Sequence, residues 1–354
     1  MATHEYLAWM AANTPSRWCN DSALTDTIEA ALASGAVGVT TNPPLTYEAL
    51  TTEPELYAAA LAELDPTLLG DDRVVQLLGL VVKRIAARLR PVWESSEHRL
   101  GYVRCQVQPE AYADSDAMLR QGLTIAGFGE NVMVKIPGSD AGIAVLEELA
   151  ARGIPTNPTV CVSVAQTLAA AEACDLGRAR AREAGIPAQR SSAAFVMGRL
   201  QDYLSVLNEE RGTGLSFDDL ATAALAAAKR CYFFLRERGS ETMLMPAAFR
   251  AARQVTELAG AEVEMTIHPK IQRQLNEWDA QGGIPRETRI DAAVDEAAVE
   301  RVAAALPEFG SAYEPDGLHV GQFDAFGATQ LTLDGFQKGG WVPLRESFAT
   351  LAKA

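Results

Sequence analysis

The feature that most constrains this chain is a rhythm. Eight short β-type runs, each closed by Gly, Pro, Asn or Asp, alternate with alanine- and charge-rich stretches whose apolar residues recur at helical spacing. The runs are Arg17–Asn20, Val37–Thr41, Tyr102–Val107, Val132–Ile136, Pro155–Val160, Ala193–Met197, Thr242–Met245 and Val263–Ile267. Helices such as Asp26–Ala33 and Ile143–Ala151 lie between them, stopped by Gly35 and Gly153, where a left-handed C-terminal cap belongs. Near-continuous apolar strands that each lead into a helix specify a parallel sheet covered on its outer face. Eight units favour a closed (β/α)8 TIM barrel over an open doubly wound sheet. At roughly 150 residues per domain, 354 residues would allow two domains, but barrels run to about 250 residues or more as one. The expectation is a single barrel domain over residues 1–354.

Two stretches exceed a minimal barrel. About sixty residues separate the second and third runs, which predicts a helical insert over about 46–98. It includes Arg73–Trp93 with a basic stripe of Lys83, Arg84, Arg88 and Arg90. Residues 271–354 form a C-terminal helical extension, expected as a lid, with a Gly- and Phe-containing segment around Gly310–Gly327. Arg178, Arg180, Arg182 and Arg190, with Glu183, read as a solvated helix and loop rather than a phosphate-collecting patch.

Composition narrows the partners. Hydrophobic residues make up 48% of the chain, enough for a sizeable core. The 31 Lys and Arg against 46 Asp and Glu leave a net charge of −15, which repels phosphate backbones and argues against nucleic acid as the main partner. No apolar run approaches the roughly 18 residues of a membrane helix. Met1–Trp18 lacks the basic and apolar regions of a secretory signal. Cys19, Cys105, Cys161, Cys174 and Cys231 are scattered without a CxxC pair, which argues against disulfides and zinc and for the reducing cytoplasm.

In a barrel, chemistry gathers at the C-terminal ends of the strands. The residues closing the runs are Asp21, Asn42, Gln106, Lys135, Asn157 with Thr159, Ala194 with Arg199, Arg250 and His268. Lys135, in Val132-Met133-Val134-Lys135-Ile136-Pro137, stands amid apolar neighbours. Its head could reach water from the strand end; alternatively, burial favours the neutral amine that attacks a carbonyl. Gly127-Phe128-Gly129 precedes a strand and is a turn, the reverse of a dinucleotide fingerprint. His268, followed by Pro269, reads as a helix-entry residue, with a catalytic role as the alternative.

These residues resemble the transaldolase family. The matches are Val39-Thr40-Thr41-Asn42-Pro43 on the second strand and Val134-Lys135-Ile136-Pro137-Gly138 on the fourth. Gly153 through Asn157-Pro158-Thr159, with Ser163 and Gln166, is similar to the family's fifth strand, Phe195–Asp202 to its sixth and Ala248-Phe249-Arg250 to its seventh. Leu89–Glu94 leading to Gly101-Tyr102-Val103 resembles its approach to the third. The resemblance implies transfer of a dihydroxyacetone unit from a ketose phosphate to an aldose acceptor, in carbohydrate metabolism of the pentose phosphate kind. It implies no metal, no organic cofactor, sugar-phosphate substrates, and a monomer or homodimer. Carried over by position, Lys135 is the Schiff-base nucleophile and Asp21 the proton acceptor, a residue that could also cap the following helix. Thr159 holds a relay water, Thr40 lies near the lysine, Asn42 and Asn157 bind hydroxyls, and Arg199 and Arg250 bind phosphate. Ion pairing is the structural alternative for both arginines.

Several positions depart from the family. Gln106 stands where a glutamate closes the V-S-x-E-V pattern, and a glutamine orients water without accepting its proton. Ala194 replaces a serine, as in the related fructose-6-phosphate aldolases, yet Val196 lacks their tyrosine and Ala248 replaces a further serine. The alternatives are therefore aldolase-type cleavage without an acceptor, a specialised homologue of secondary metabolism, or a sugar-phosphate-binding barrel without turnover.

Overall fold

The computed structural model describes residues 4–351; the last three residues of the expected C-terminal extension lie outside them. Eight parallel strands alternate with helices: β1 Arg17–Asn20, β2 Gly38–Thr40, β3 Tyr102–Gln106, β4 Val132–Pro137, β5 Thr156–Thr159, β6 Ser192–Phe195, β7 Met243–Pro246 and β8 Glu264–Ile267. Six form one curled sheet in the order β5-β4-β3-β2-β1-β8, and β6 pairs with β7. Isolated parallel bridges, Thr156–Ser191 and Cys161–Phe195, join β5 to β6, while β7 packs beside β8. The circuit is that of a (β/α)8 barrel, as the eight runs predict, with strand ends moved by no more than a residue or two.

Local chemistry explains the helices that follow the strands. Ser139 and Ser163 begin the helices Asp140–Ala151 and Val164–Glu183, their hydroxyls accepting from Gly142 N and Gln166 N. Gly35 and Gly153 take positive φ (85° and 69°) at the predicted stops. Alternate strand residues point outward, so Val103, Cys105, Val107, Val134 and Ile136 join the core beneath the helix Gly70–Ser95, while Met265, Ile267 and Phe195 join a second core. No described helix is long and apolar enough to cross a membrane.

The two supernumerary stretches meet each other. The insert contributes the helix Gly70–Ser95, and the chain ends in helices Gly327–Phe336 and Val342–Leu351 joined by a π-helical turn, Gln337–Trp341. The indole of Trp341 donates to Asp71 Oδ1 at 2.8 Å, tying the end of the chain to the insert. Three of the arginines between β5 and β6 are held in ion pairs with surface carboxylates, Arg178 and Arg182 on Glu241 and Arg180 on Glu147 and Glu148, whereas Arg190, expected on the same solvated face, turns inward to the buried Glu264.

Inward-facing side chains fill the barrel. Near its floor Arg104 (β3) pairs with Glu264 (β8), both 1% exposed, and also donates to the Tyr102 carbonyl at 3.1 Å and to Cys19 Sγ at 3.3 Å. Arg190 reaches the other Glu264 oxygen at 3.1 Å. Space for this cluster comes from Gly38, where a Cβ would lie 2.6 Å from Arg104 Nη1 and 2.7 Å from the Tyr102 carbonyl. Gly38→Ala is therefore expected to destabilise the protein by about 1–3 kcal/mol, read as a lower urea midpoint; an unchanged midpoint would mean the floor has slack.

Candidate active site

Above this floor a cavity of about 420 Å³ opens at the C-terminal mouth. The register of the sheet explains which side chains meet there. Gln106, Lys135 and Asn157 are direct neighbours across β3, β4 and β5, all inward on one layer, with Thr159 one layer higher. Asp21, Thr40, Asn42, Lys135, Thr159, Arg199 and Arg250 line the cavity, as does His268. Gln106 and Asn157 do not line it; they lie buried beside Lys135 (1% and 0% exposed).

Lys135 is 7% exposed, and its Nζ donates to the Thr41 carbonyl at 3.4 Å. Burial lowers its pKa to about 8, with Asp21 opposing the shift and Arg104 reinforcing it. At pH 7 roughly one tenth of the amine is thus free and nucleophilic, far more than of an exposed lysine. Asp21 accepts from Thr40 Oγ1 at 2.7 Å, and Thr40 also contacts the Thr266 hydroxyl. Asp21 does not cap the next helix, contrary to that expectation. The helix starts at Thr25 with Leu24 in the cap position, so the carboxylate is left to the cavity. Asn42 does cap, its Oδ1 accepting from Leu45 N at 2.9 Å in front of Pro43 and Pro44.

Four polar atoms around the lysine are buried without a hydrogen-bond partner: Gln106 Oε1 and Nε2, Asn157 Oδ1 and Thr159 Oγ1. Each such atom costs about 1–3 kcal/mol unless something bonds to it, so this corner holds hydrogen-bonding capacity that the protein's own groups leave unused. The amide nitrogen of Asn157 is committed to Ser192, which leaves its oxygen for that purpose.

The far end is cationic. Arg250 grips Asp202 with two bonds (2.8 and 2.5 Å), and Arg199 stands 3.7 Å from the same carboxylate. The ion pairs envisaged for these arginines exist, but Asp202 orients the two guanidinia together and both still face the cavity. Ala248, between them on the wall, sits at φ 59°, as does Val160 beyond β5, a strained conformation of the kind found at sites. Val160 packs with Leu333 and Phe336, and the Phe336 ring lies 5.9 Å from Lys135 Nζ and 5.6 Å from the Arg199 guanidinium. The C-terminal segment therefore roofs the cavity. His268 caps the helix Pro269–Ala280 with Nδ1 accepting from Lys270 N, as its helix-entry reading requires.

Sequence reasoning missed Arg104, Glu264, Thr266, Asp202 and Phe336. Counting back in steps of two, the period of an inward face, once from Gln106 and twice from His268, would have found the first three.

The fold and cavity define a (β/α)8 barrel with a lysine-centred site at the strand ends. The model of the Transaldolase/Fructose-6-phosphate aldolase family matches residues 18–319, and the chain belongs to that family. It is 28% identical to Transaldolase 1 of Streptomyces coelicolor over 319 residues, 82% of each chain. It is 31% identical to Transaldolase 1 of Streptomyces avermitilis over 201 residues (55% of this chain, 53% of that one) and 31% identical to Transaldolase of Neisseria gonorrhoeae over 198 residues (54% and 56%). The matched part thus spans about half the length of those two relatives. Membership supports an enzyme of the transferase or aldolase kind.

Linkage gives a stability test. The native pKa of Lys135, about 8, lies below the ordinary lysine value of 10.5, so between these values the unfolded chain binds more protons and stability rises with pH. Lys135→Met is expected to be more stable than the parent at pH 7, by on the order of 3 kcal/mol, an advantage fading toward pH 10.5. Parallel urea titrations at pH 7 and pH 10 measure the difference; an advantage that does not change with pH would contradict the lowered pKa.

Proposed function

We propose that this protein transfers a dihydroxyacetone unit from a ketose phosphate through a Schiff base on Lys135. The observation that carries the reading is the buried amine of Lys135, its pKa lowered to about 8, set between unpartnered polar atoms and a pair of arginines. A cavity lined by Lys135, Arg199, Arg250 and Lys270 against Asp21, on a chain of net charge −15, suits an anionic substrate.

In this mechanism Nζ attacks the ketone carbon, the carbinolamine loses water, and the resulting iminium draws electrons from the bond between the third and fourth carbons. Asp21 takes the proton of the fourth-carbon hydroxyl as that bond breaks and an aldose phosphate leaves. The enamine left on Lys135 adds to an acceptor aldehyde, and hydrolysis frees the new ketose and the amine. Arg199 and Arg250 hold the phosphate, with Asp202 fixing the fork of Arg250 and lying beside that of Arg199. Asn42, Asn157 and Thr159 bind hydroxyls and water, and Gln106 orients water without accepting its proton. No metal or organic cofactor has a step in this sequence.

Gln106 and Ala194 favour a second reading, in which water rather than an aldehyde collects the three-carbon unit; Val196 counts against it. In either case, incubation with fructose 6-phosphate and borohydride should leave a three-carbon adduct on Lys135, located by peptide mass spectrometry. Lys135→Met should leave none, and Asp21→Asn should slow turnover by about 10²–10⁴-fold. Failure of both fructose 6-phosphate and dihydroxyacetone to label Lys135 would remove the covalent mechanism. Release of free dihydroxyacetone in the presence of an aldose phosphate would favour the second reading.

A further inference from the structure

The barrel carries a charged cluster that the mechanism above does not use. Arg104 lies on the strand next to Lys135, inward, two residues below Gln106 and paired in register with Met133. It is 1% exposed and fixed by Glu264, the Tyr102 carbonyl and Cys19 Sγ. Arg190 shares Glu264, so two guanidinium groups stand against one carboxylate, and the cluster keeps one positive charge beneath the reactive layer. The V-S-x-E-V pattern has a serine at 104 and a glutamate at 106; this chain has an arginine and a neutral glutamine. Both changes make the surroundings of the lysine more positive.

We propose that Arg104 is a positioning residue for the chemistry of Lys135: its fixed positive charge, one layer below, disfavours a second cation on Nζ and so maintains the free amine that attacks the carbonyl. The inference rests on the proposed Schiff-base role for its meaning, but its physical content is separable. Around the amine, β1 presents Asp21, β2 Thr40, β3 Gln106 above Arg104 with Cys105 on its outer face, β4 Met133, β5 Asn157 and Thr159, β8 Thr266, and the roof Phe336. Asp21 is the one carboxylate among these and opposes Arg104; the cavity's other charged or titratable groups are Arg199, Arg250, Lys270 and the His268 imidazole. The direction found for Lys135 agrees, with burial acting first and Arg104 adding to it.

Two variants move the charge in opposite directions. Arg104→Met leaves Glu264 balanced by Arg190, whereas Glu264→Gln leaves both arginines uncompensated. Acylation of Lys135 by acetic anhydride, followed from pH 6 to 11 by peptide mass spectrometry, reads the free-amine fraction and needs no imine. Arg104→Met should raise the midpoint by about one pH unit, the order of effect expected when one buried charge on the adjacent strand is removed. Glu264→Gln should lower it, and Arg104→Lys, which keeps the cation, should stay near the parent. Reductive trapping with dihydroxyacetone should shift in the same order. Midpoints that do not move, or that move together, in the two neutralising variants with native circular dichroism would overturn the inference. If one of them does not fold, the sign of the other's shift still decides. Acylation profiles that shift as described while trapping fails in every form would sink the Schiff-base reading and leave the electrostatic one standing.

Discussion

A guanidinium buried inside a barrel cannot be left alone, and much of this molecule follows from how that demand is met. Removing one partner of a buried pair costs about 3–5 kcal/mol, so Arg104 on β3 and Glu264 on β8 have to be in place together. Their contact reaches across the interior between strands that lie on either side of β1 and β2. It fixes the floor, requires a residue without a side chain at Gly38, and holds Arg190 from the loop before β6. The layer above is then free to be polar and loosely satisfied, because the charge below it is already compensated to within one unit.

That upper layer divides into two arcs. β1, β2, β4, β5 and β8 and the residues just after them present Asp21, Thr40, Asn42, Lys135, Thr159, Thr266 and His268, with Pro44, Leu45 and Ile271 beside them, whereas β6 and β7 with their loops present Ala194, Val196, Met245, Ala247, Ala248 and Phe249 before the arginines begin. Hydroxyl-binding capacity is therefore concentrated on one side of the lysine. A ligand lying between Lys135 and Arg199 would meet hydrogen-bonding groups along one edge and apolar surface along the other. Each polar-to-apolar position on the second edge removes a place where a sugar hydroxyl could exchange its water for a protein partner, and an unmatched hydroxyl there would weaken binding.

The barrel was legible because its strands are buried on both faces and punctuated by Gly, Pro and Asn, signals that are local. The mouth residues were legible for the same reason: each closes its own run, and the TTNP and KIPG segments can be read without knowing what lies across the barrel. Arg104 and Glu264 are 160 residues apart, and nothing near either one names the other. Asp202 looks like any helix-surface carboxylate until the chain folds, and then both Arg199 and Arg250 turn to it. Asp21 misled in the opposite direction. An aspartate after a strand has the composition of a helix cap, but the cap position falls three residues further on, at Leu24, and Thr40 on the neighbouring strand takes its oxygen instead.

Phe336 shows most clearly why the roof could not be read locally. Its helix has no distinctive sequence signal, and the π-helical turn after it, Gln337–Trp341, exists because the chain has to bend back over the barrel. Gly340 lets that turn lie against Pro43 and Pro44, where a Cβ would come within 2.4 Å of the proline backbone and ring. Those prolines start the helix that Asn42 caps, so the roof is seated on the loop that carries a cavity residue. Trp341 then reaches Asp71 in the insert. The two stretches that a minimal barrel lacks are thus joined around its mouth, and their joining sets Phe336 over Lys135 and Arg199. The Phe336 ring adds to the burial of the Lys135 amine, the largest cause of its lowered pKa, so the insert, the end of the chain and that amine are linked by one run of contacts.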